Sequence, residues 1–224
     1  DSLYRLCCVF SQGYSYLCIN DDYYLISYLL MQSRQQFIDL FLEINSQINL
    51  SAIRDAEWVY TKHILDSLEL TKILKISDYT TLCDVGTGGG FPLLALSHYN
   101  QENNCGIKLY GIDARRKKID AINSMIQILW LPDTIAIWMR AEDHHDQYDI
   151  VTARAVAYAD KIIPRCIPLC KKWWLICLYK EVKAEEREEI LMQCKKHNLT
   201  ILQEHHYRLF EWDIERVIYI LKKT

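Results

Sequence analysis

Four of the chain's seven glycines fall in one stretch, Leu82-Cys83-Asp84-Val85-Gly86-Thr87-Gly88-Gly89-Gly90-Phe91-Pro92, and it limits the available folds more than any other segment. A short strand-like run, Thr80–Val85, leads into it. Pro92 then opens a helical pattern over Leu93–Tyr99, and proline is well tolerated as a first helical residue. Glycines at such a corner let the backbone turn tightly and lie against a ligand. In an open α/β sheet, ligands bind outside the carboxyl ends of the strands, near the point where the strand order reverses.

The rest of the pattern agrees with such a sheet. Strands are predicted at Ile107–Ile112, Thr134–Met139, Tyr148–Thr152, Trp173–Leu178, Ile201–Leu209 and Arg216–Leu221. Helices are predicted at Arg115–Leu129, Tyr158–Leu169 and Ala184–His197, the second kinked or started late by Pro164. Alternating strands and helices imply a mostly parallel sheet covered on both faces. No helix separates the last two strands, so they are expected to pair antiparallel at one edge. Upstream, residues 22–32 and 34–46 read as two helices, with Asn20-Asp21-Asp22 offering N-caps. Asn45–Arg54 reads as a turn-rich connection, and Asp55 as the cap of a third helix running to about Leu74. The expected organisation is a helical extension over 1–75 and a ligand-binding α/β domain over 76–224.

Composition narrows the function classes. Half of the 224 residues are hydrophobic and a quarter are charged, as in a globular domain with a sizeable core. A net charge of −3 excludes a generic, strongly basic nucleic-acid binder. It leaves room for local RNA contacts, with Arg115–Lys118, Lys171–Lys172 and Lys195–Lys196 as the basic clusters. Nine cysteines, an odd number with no CxxC pair, argue for reduced intracellular thiols over a disulfide framework. Cys166 and Cys170, His144–His145 and His205–His206 lack partners at zinc-site spacing, so no metal is expected. No apolar run reaches the ~18–20 residues of a membrane span. Residues 1–30 hold no clean apolar core with a small-residue cleavage site, so a cytoplasmic location is expected.

The loop also discriminates among cofactors. In the dinucleotide pattern G-x-G-x-x-G counted from Gly86, the third glycine would fall at Phe91. The loop reads instead as D-x-G-x-G-x-G from Asp84, the form expected for S-adenosylmethionine. That cofactor carries no phosphate, and the loop carries no lysine or arginine. Asp113, ending the next strand, can accept hydrogen bonds from both ribose hydroxyls. Asp84 is placed to receive the methionine amino group. The expected fold class is therefore the class I, Rossmann-like S-adenosylmethionine-dependent methyltransferase fold.

Five segments occur in order: Asn49-Leu50-Ser51-Ala52-Ile53-Arg54, His63-Ile64-Leu65-Asp66-Ser67, Asp84 through Pro92, Arg140-Ala141-Glu142 and Ala153-Arg154-Ala155. Together they resemble the bacterial small-subunit ribosomal RNA guanine-N7 methyltransferases, the glucose-inhibited division protein B family. The resemblance covers roughly residues 35–180. It implies transfer of a methyl group to N7 of a guanine in 16S ribosomal RNA. It implies a cofactor pocket lined by Gly86, Gly88 and Phe91, with Ala141 and Glu142 near the adenine. Arg154 lies beside that pocket and is the candidate catalytic residue. Asn49, Arg54, His63, Arg115, Arg116 and Lys180 become candidate RNA-facing residues. The implied partner is small-subunit ribosomal RNA, presented on an assembly intermediate to a monomeric enzyme.

Plainer roles stand beside these. Glu142 could be solvated, Arg154 a structural ion-pair residue, Phe91 a core aromatic and Arg54 a cap on a helix C-terminus. The chain also departs from the family at a Lys171-Lys172-Trp173-Trp174 turn, at Glu181 after Lys180, and at Asp113-Ala114-Arg115-Arg116-Lys117-Lys118. Alternatives are a methyltransferase acting on another substrate, or a cofactor-binding assembly scaffold without activity. Guanine N7 has an in-plane lone pair and loses no proton before it attacks. The chemistry thus calls for alignment more than acid–base groups. The chain has neither a Pro-Pro-Tyr nor a Pro-Cys motif.

Overall fold

The computed structural model describes residues 22–209 and 213–223, with side chains from 33 onward. The expected caps Asn20 and Asp21 lie outside the described residues. The chain separates into two compact units, Asp1–Phe37 and Ile38–Thr224. The boundary expected at 75/76 therefore falls inside the second unit.

α1 (Asp22–Ile48) is one continuous helix where the sequence pattern predicts two. The predicted break rests on Ser33, and one serine costs a helix only about 0.5 kcal/mol. Asp55 caps the next helix as expected, its side chain accepting from the Trp58 amide at 3.1 Å. That helix begins as α2 (Ala56–Val59), passes through a π-helical turn at Tyr60–Leu65 and ends as α3 (Asp66–Ile73).

The strands are β1 (Thr81–Val85), β2 (Lys108–Asp113), β3 (Thr134–Trp138), β4 (Tyr148–Arg154), β5 (Cys170–Glu181), β6 (Leu199–Leu209) and β7 (Ile214–Lys223). They form one sheet in the order β3-β2-β1-β4-β5-β7-β6. β1 to β5 run parallel, and β7 pairs antiparallel with both β5 and β6. The central strands are nearly continuous apolar runs, as a sheet covered on both faces requires. Ile150, Val151, Ile176, Cys177 and Leu178 are all fully buried. Helices α4 (Leu93–Asn103), α5 (Arg116–Ile128), α6 (Ala159–Leu169) and α7 (Ala184–His197) connect the strands.

Two local expectations change. α6 runs unbroken through Pro164 and Pro168. Each proline removes a ladder bond, but burial of Ile162, Ile163, Cys166 and Leu169 holds the helix together. The predicted turn at Lys171–Trp174 is instead a bulge inside β5. Cys170 pairs with Tyr148 and Leu175 with Ile150, so β4 spends one residue where β5 spends four. Trp173 takes up the excess at φ 72°.

The chain runs outward from β1 through β2 to β3, then returns to place β4 on the other side of β1. The reversal between β1 and β4 opens a crevice above the strand tips. Asp84 sits in register with Gly111 and Thr152 at that point. The six described cysteines are all unpaired. Among the described residues, no helix is long and apolar enough to cross a membrane.

Candidate functional site

The glycine loop stands at the reversal point, and its shape follows from its sequence. Gly86 has φ 69°, which side-chain-bearing residues rarely adopt. A β-carbon there would lie 2.8 Å from the methyls of Val156, on the segment following β4. The amides of Gly86 and Thr87 both donate to the Ile112 carbonyl, at 2.8 and 3.0 Å, tying the loop to β2. The Gly88 amide donates to Asp113 Oδ2 at 2.9 Å. Asp113 Oδ1 accepts from the Arg115 amide at 2.8 Å. One carboxylate thus holds the turn at the end of β2 and the glycine loop together, and each oxygen keeps a second lone pair for a ligand hydroxyl.

Asp84 lies beneath the loop with no exposure. Oδ1 accepts from the Thr152 hydroxyl at 3.1 Å, while Oδ2 has no hydrogen-bond partner among the described residues. Direct receipt of a ligand's amino group, expected from the sequence, would require this buried carboxylate, which does not line the cavity, to become exposed. Asp84 instead sets a negative charge directly under the loop. Burial pushes its pKa up to about 6, against the pull of the Thr87 and Thr152 hydroxyls.

The sign of that shift has a consequence. Between the ordinary value of 3.8 and about 6, the folded protein keeps a proton that the unfolded chain has lost. Stability from this group therefore falls as pH rises through that window, and above it the ionised carboxylate costs up to about 3 kcal/mol. Asp84→Asn is expected to stabilise the ligand-free protein at pH 7 but hardly at pH 4. Urea denaturation at the two pH values checks this, and a variant less stable than wild type at pH 7 would contradict it. The comparison must be of variant against wild type, because His63 contributes the opposite slope.

A cavity of about 560 Å³ opens beside the loop. Its walls include Gly86, Gly88 and Phe91 from the loop, Lys62 and His63 from the π-helical turn, Arg154 from β4 and Arg216 from β7. A neighbouring groove of about 620 Å³, between α3 and the β6–β7 pair, shares Leu209 and Arg216 but touches none of the glycines.

Arg154 organises the back of the cavity. It donates to Asp66 Oδ2 and the Lys62 carbonyl, both at 2.8 Å, and to His63 Nδ1 at 3.1 Å. With Nδ1 accepting, the His63 proton sits on Nε2, which donates to Ser51 Oγ at 2.8 Å. Burial, reinforced by the Arg154 charge, holds the His63 pKa down to about 3, so the ring is neutral. It stacks on Phe91 with centroids 4.7 Å apart, and Phe41 packs edge-on against both. Phe91 is thus core and cavity wall together. The π-helical turn puts Lys62, His63 and Asp66 all on this wall, and such turns are frequent at functional sites.

Other sequence candidates are not brought here. Arg54 donates to the Asn45 and Ser51 carbonyls and to Asn49 Oδ1, so Asn49 and Arg54 are spent on capping the end of α1. Lys180 is turned away, donating to the Ala157 carbonyl at 2.8 Å and ion-paired with Glu186. Glu186, a nearly buried counter-ion, takes its charge. Glu142 is exposed and paired with Arg165 at 2.6 Å, while Ala141 packs on the core. Neither lines the cavity. Arg115 and Arg116 are exposed beyond Asp113.

Sequence reasoning missed Lys62, Ser51 and Arg216. Arg216 left a trace, as the charged residue opening the apolar run Val217–Leu221. Lys62 left none beyond its place next to His63.

The residues present fit a phosphate-free nucleoside cofactor. Gly86 would not tolerate a β-carbon, and Gly88 faces open space with only the Gly86 carbonyl nearby.

Comparison with known proteins agrees. A protein chain from Listeria welshimeri named ribosomal RNA small subunit methyltransferase G is 30% identical over 201 residues, spanning 87% of this chain and 83% of the relative. One of the same name from Lachnoclostridium phytofermentans is 34% identical over 197 residues, spanning 84% and 79%. Among solved structures, P. horikoshii TYW2 in complex with MeSAdo has a TM-score of 0.54 at 14% identity, over 71% of this chain and 62% of that one. Precorrin-6y C5,15-methyltransferase from Geobacter metallireducens GS-15 has a TM-score of 0.53 at 12% identity, over 70% and 87%. These structures share the fold. The model of the GidB family, rRNA small subunit methyltransferase G, matches residues 30–211. That match takes in α3, the glycine loop, the Asp66–Arg154 pair and β6, and the chain belongs to the GidB family of rRNA small subunit methyltransferase G proteins.

Proposed function

We propose that this chain transfers the methyl group of S-adenosylmethionine to N7 of a guanine in 16S ribosomal RNA. The observation that carries the reading is the joined pair at the strand tips, the Gly86–Gly90 loop and the Asp113 carboxylate that binds it. It forms a seat for a nucleoside without any cation for phosphate, and it abuts a cavity ending in Arg154. We further infer a monomer acting in the cytoplasm on RNA within a small-subunit assembly intermediate, without a metal.

When bound, the cofactor supplies a methyl group already activated by its sulfonium charge. Asp84 supplies the complementary negative charge from below the loop, and Asp113 offers its remaining lone pairs to the ribose. Phe91 and His63 close the wall with stacked rings and exclude water. His63 is no general base, since burial holds its pKa down to about 3, its Nδ1 lone pair is occupied by Arg154 and its Nε2 proton is committed to Ser51. Guanine N7 requires none. Alignment of a lone pair with the methyl group is enough, and alignment is worth several orders of magnitude in rate. Arg154 is a positioning residue: fixed by three partners, it holds the helical wall against the strand tips and lends the cavity positive charge.

Mapping N7-methylguanine in 16S ribosomal RNA from cells with and without the gene tests the activity. One guanine is expected to lose its methyl group in the deletion and regain it when the gene is restored. Identical methylation in both strains would overturn the reading.

A further inference from the structure

We propose that Trp138, at the open edge of the sheet, is a stacking platform for an unpaired base of the RNA substrate. This rests on the reading of the chain as an RNA methyltransferase and adds a contact point outside the methyl-transfer cavity.

Trp138 ends β3, an edge strand, and pairs in register with Asp113, the residue assigned to the cofactor ribose. It is 55% exposed. Its orientation is fixed as well, because the indole N–H donates to the Ala114 carbonyl at 3.1 Å. A ring held in place loses little freedom on binding, which favours stacking.

The surroundings identify the partner. The Arg116 guanidinium lies 5.2 Å from the ring centroid, and Arg115, Lys117 and Arg140 are exposed in the adjoining segments. Among the described residues, Arg116 is held otherwise by a 3.8 Å exposed contact with Asp120, an interaction worth little in water. In the adjoining segments Asp113 accepts from the Gly88 and Arg115 amides, and Glu142 pairs with Arg165. Cations around a fixed aromatic face, on a chain of net negative charge, match a single strand whose base stacks while its phosphates meet the arginines. An apolar protein partner would leave those cations unsatisfied.

The test uses the full-length protein and a short single-stranded RNA containing guanine, titrated over a range of salt. Trp138→Ala is expected to weaken RNA binding about tenfold, the loss of one stacked base. The slope of log K against log salt stays unchanged, and so does S-adenosylmethionine affinity by calorimetry. Trp138→Tyr restores most of the binding. Arg116→Ala instead flattens the salt slope by about 0.7, the contribution of one phosphate contact. Substitutions at this exposed site cost little stability, and unchanged melting temperatures check that the variants are folded. Wild-type RNA affinity in Trp138→Ala would overturn the inference while leaving the activity intact. A matching loss of cofactor affinity would also overturn it, by making Trp138 a wall for the adenine. If the wild-type protein methylates no RNA, the functional reading fails and the platform fails with it.

Discussion

Replacing Asp66 with alanine is expected to destabilise the protein by about 3–5 kcal/mol, the usual cost of leaving buried charges without their counter-ion. Asp66 is 2% exposed. Its carboxylate accepts from Arg154 at 2.8 Å and from the Tyr207 hydroxyl at 2.6 Å. Arg216 Nε lies 3.3 Å from Oδ1, close enough to pair although it is not aligned as a hydrogen bond. One carboxylate on α3 therefore bridges guanidinium groups from β4 and β7 and binds β6 through Tyr207. Without it, two arginines face each other across the cavity wall with no anion between them. For a chain of this size, such a loss lowers Tm by roughly 6–20 °C. Asp66→Asn retains an acceptor but not the charge, and should fall between the two. Urea denaturation with an unchanged m-value measures the effect. A midpoint matching wild type would show that the two arginines find other partners.

The second large effect falls on ligand binding. Asp113→Ala is expected to raise the Kd for S-adenosylmethionine at least about 100-fold, since two hydrogen bonds to a charged acceptor contribute about 1.5 kcal/mol each even at the low end of their range. Some of that loss is indirect, because Asp113 also anchors the Gly88 amide and so shapes the loop that faces the ligand. Asp113→Asn separates the parts: it can keep one oxygen for the Gly88 amide but offers the ribose a weaker acceptor. Calorimetric titration is the measurement. Undiminished affinity in Asp113→Ala would remove this residue from the cofactor site and take the reading of the glycine loop with it.

The two predictions probe different links in the same chain of causes. Asp66 belongs to packing, where charge compensation joins the helical wall to the sheet. Asp113 belongs to the site, where strand register delivers a carboxylate to the loop. A stable, fully folded Asp113→Ala with no cofactor affinity, beside a destabilised Asp66→Ala, would separate scaffold from site.

Sequence alone determined the sheet and its ligand-binding corner, because both rest on local rules. Apolar runs of strand length, Pro92 after the glycines and Asp113 at a strand end are all read from neighbours in the chain. Family resemblance placed Phe91 and Arg154 at the same corner. What only the tertiary structure decided are the partners that meet across long separations. Nothing near Tyr207 in the sequence says that its hydroxyl will donate to Asp66, far back in the chain. Nothing near Asp84 says that the fold will bury it fully, or near Arg154 that Asp66, His63 and the Lys62 carbonyl will hold it from three sides. Arg216 reaches the cavity from the far end of the chain because β7 inserts antiparallel between β5 and β6. Periodicity reports which face of an element is buried, whereas charge pairing depends on which elements the packed sheet sets side by side.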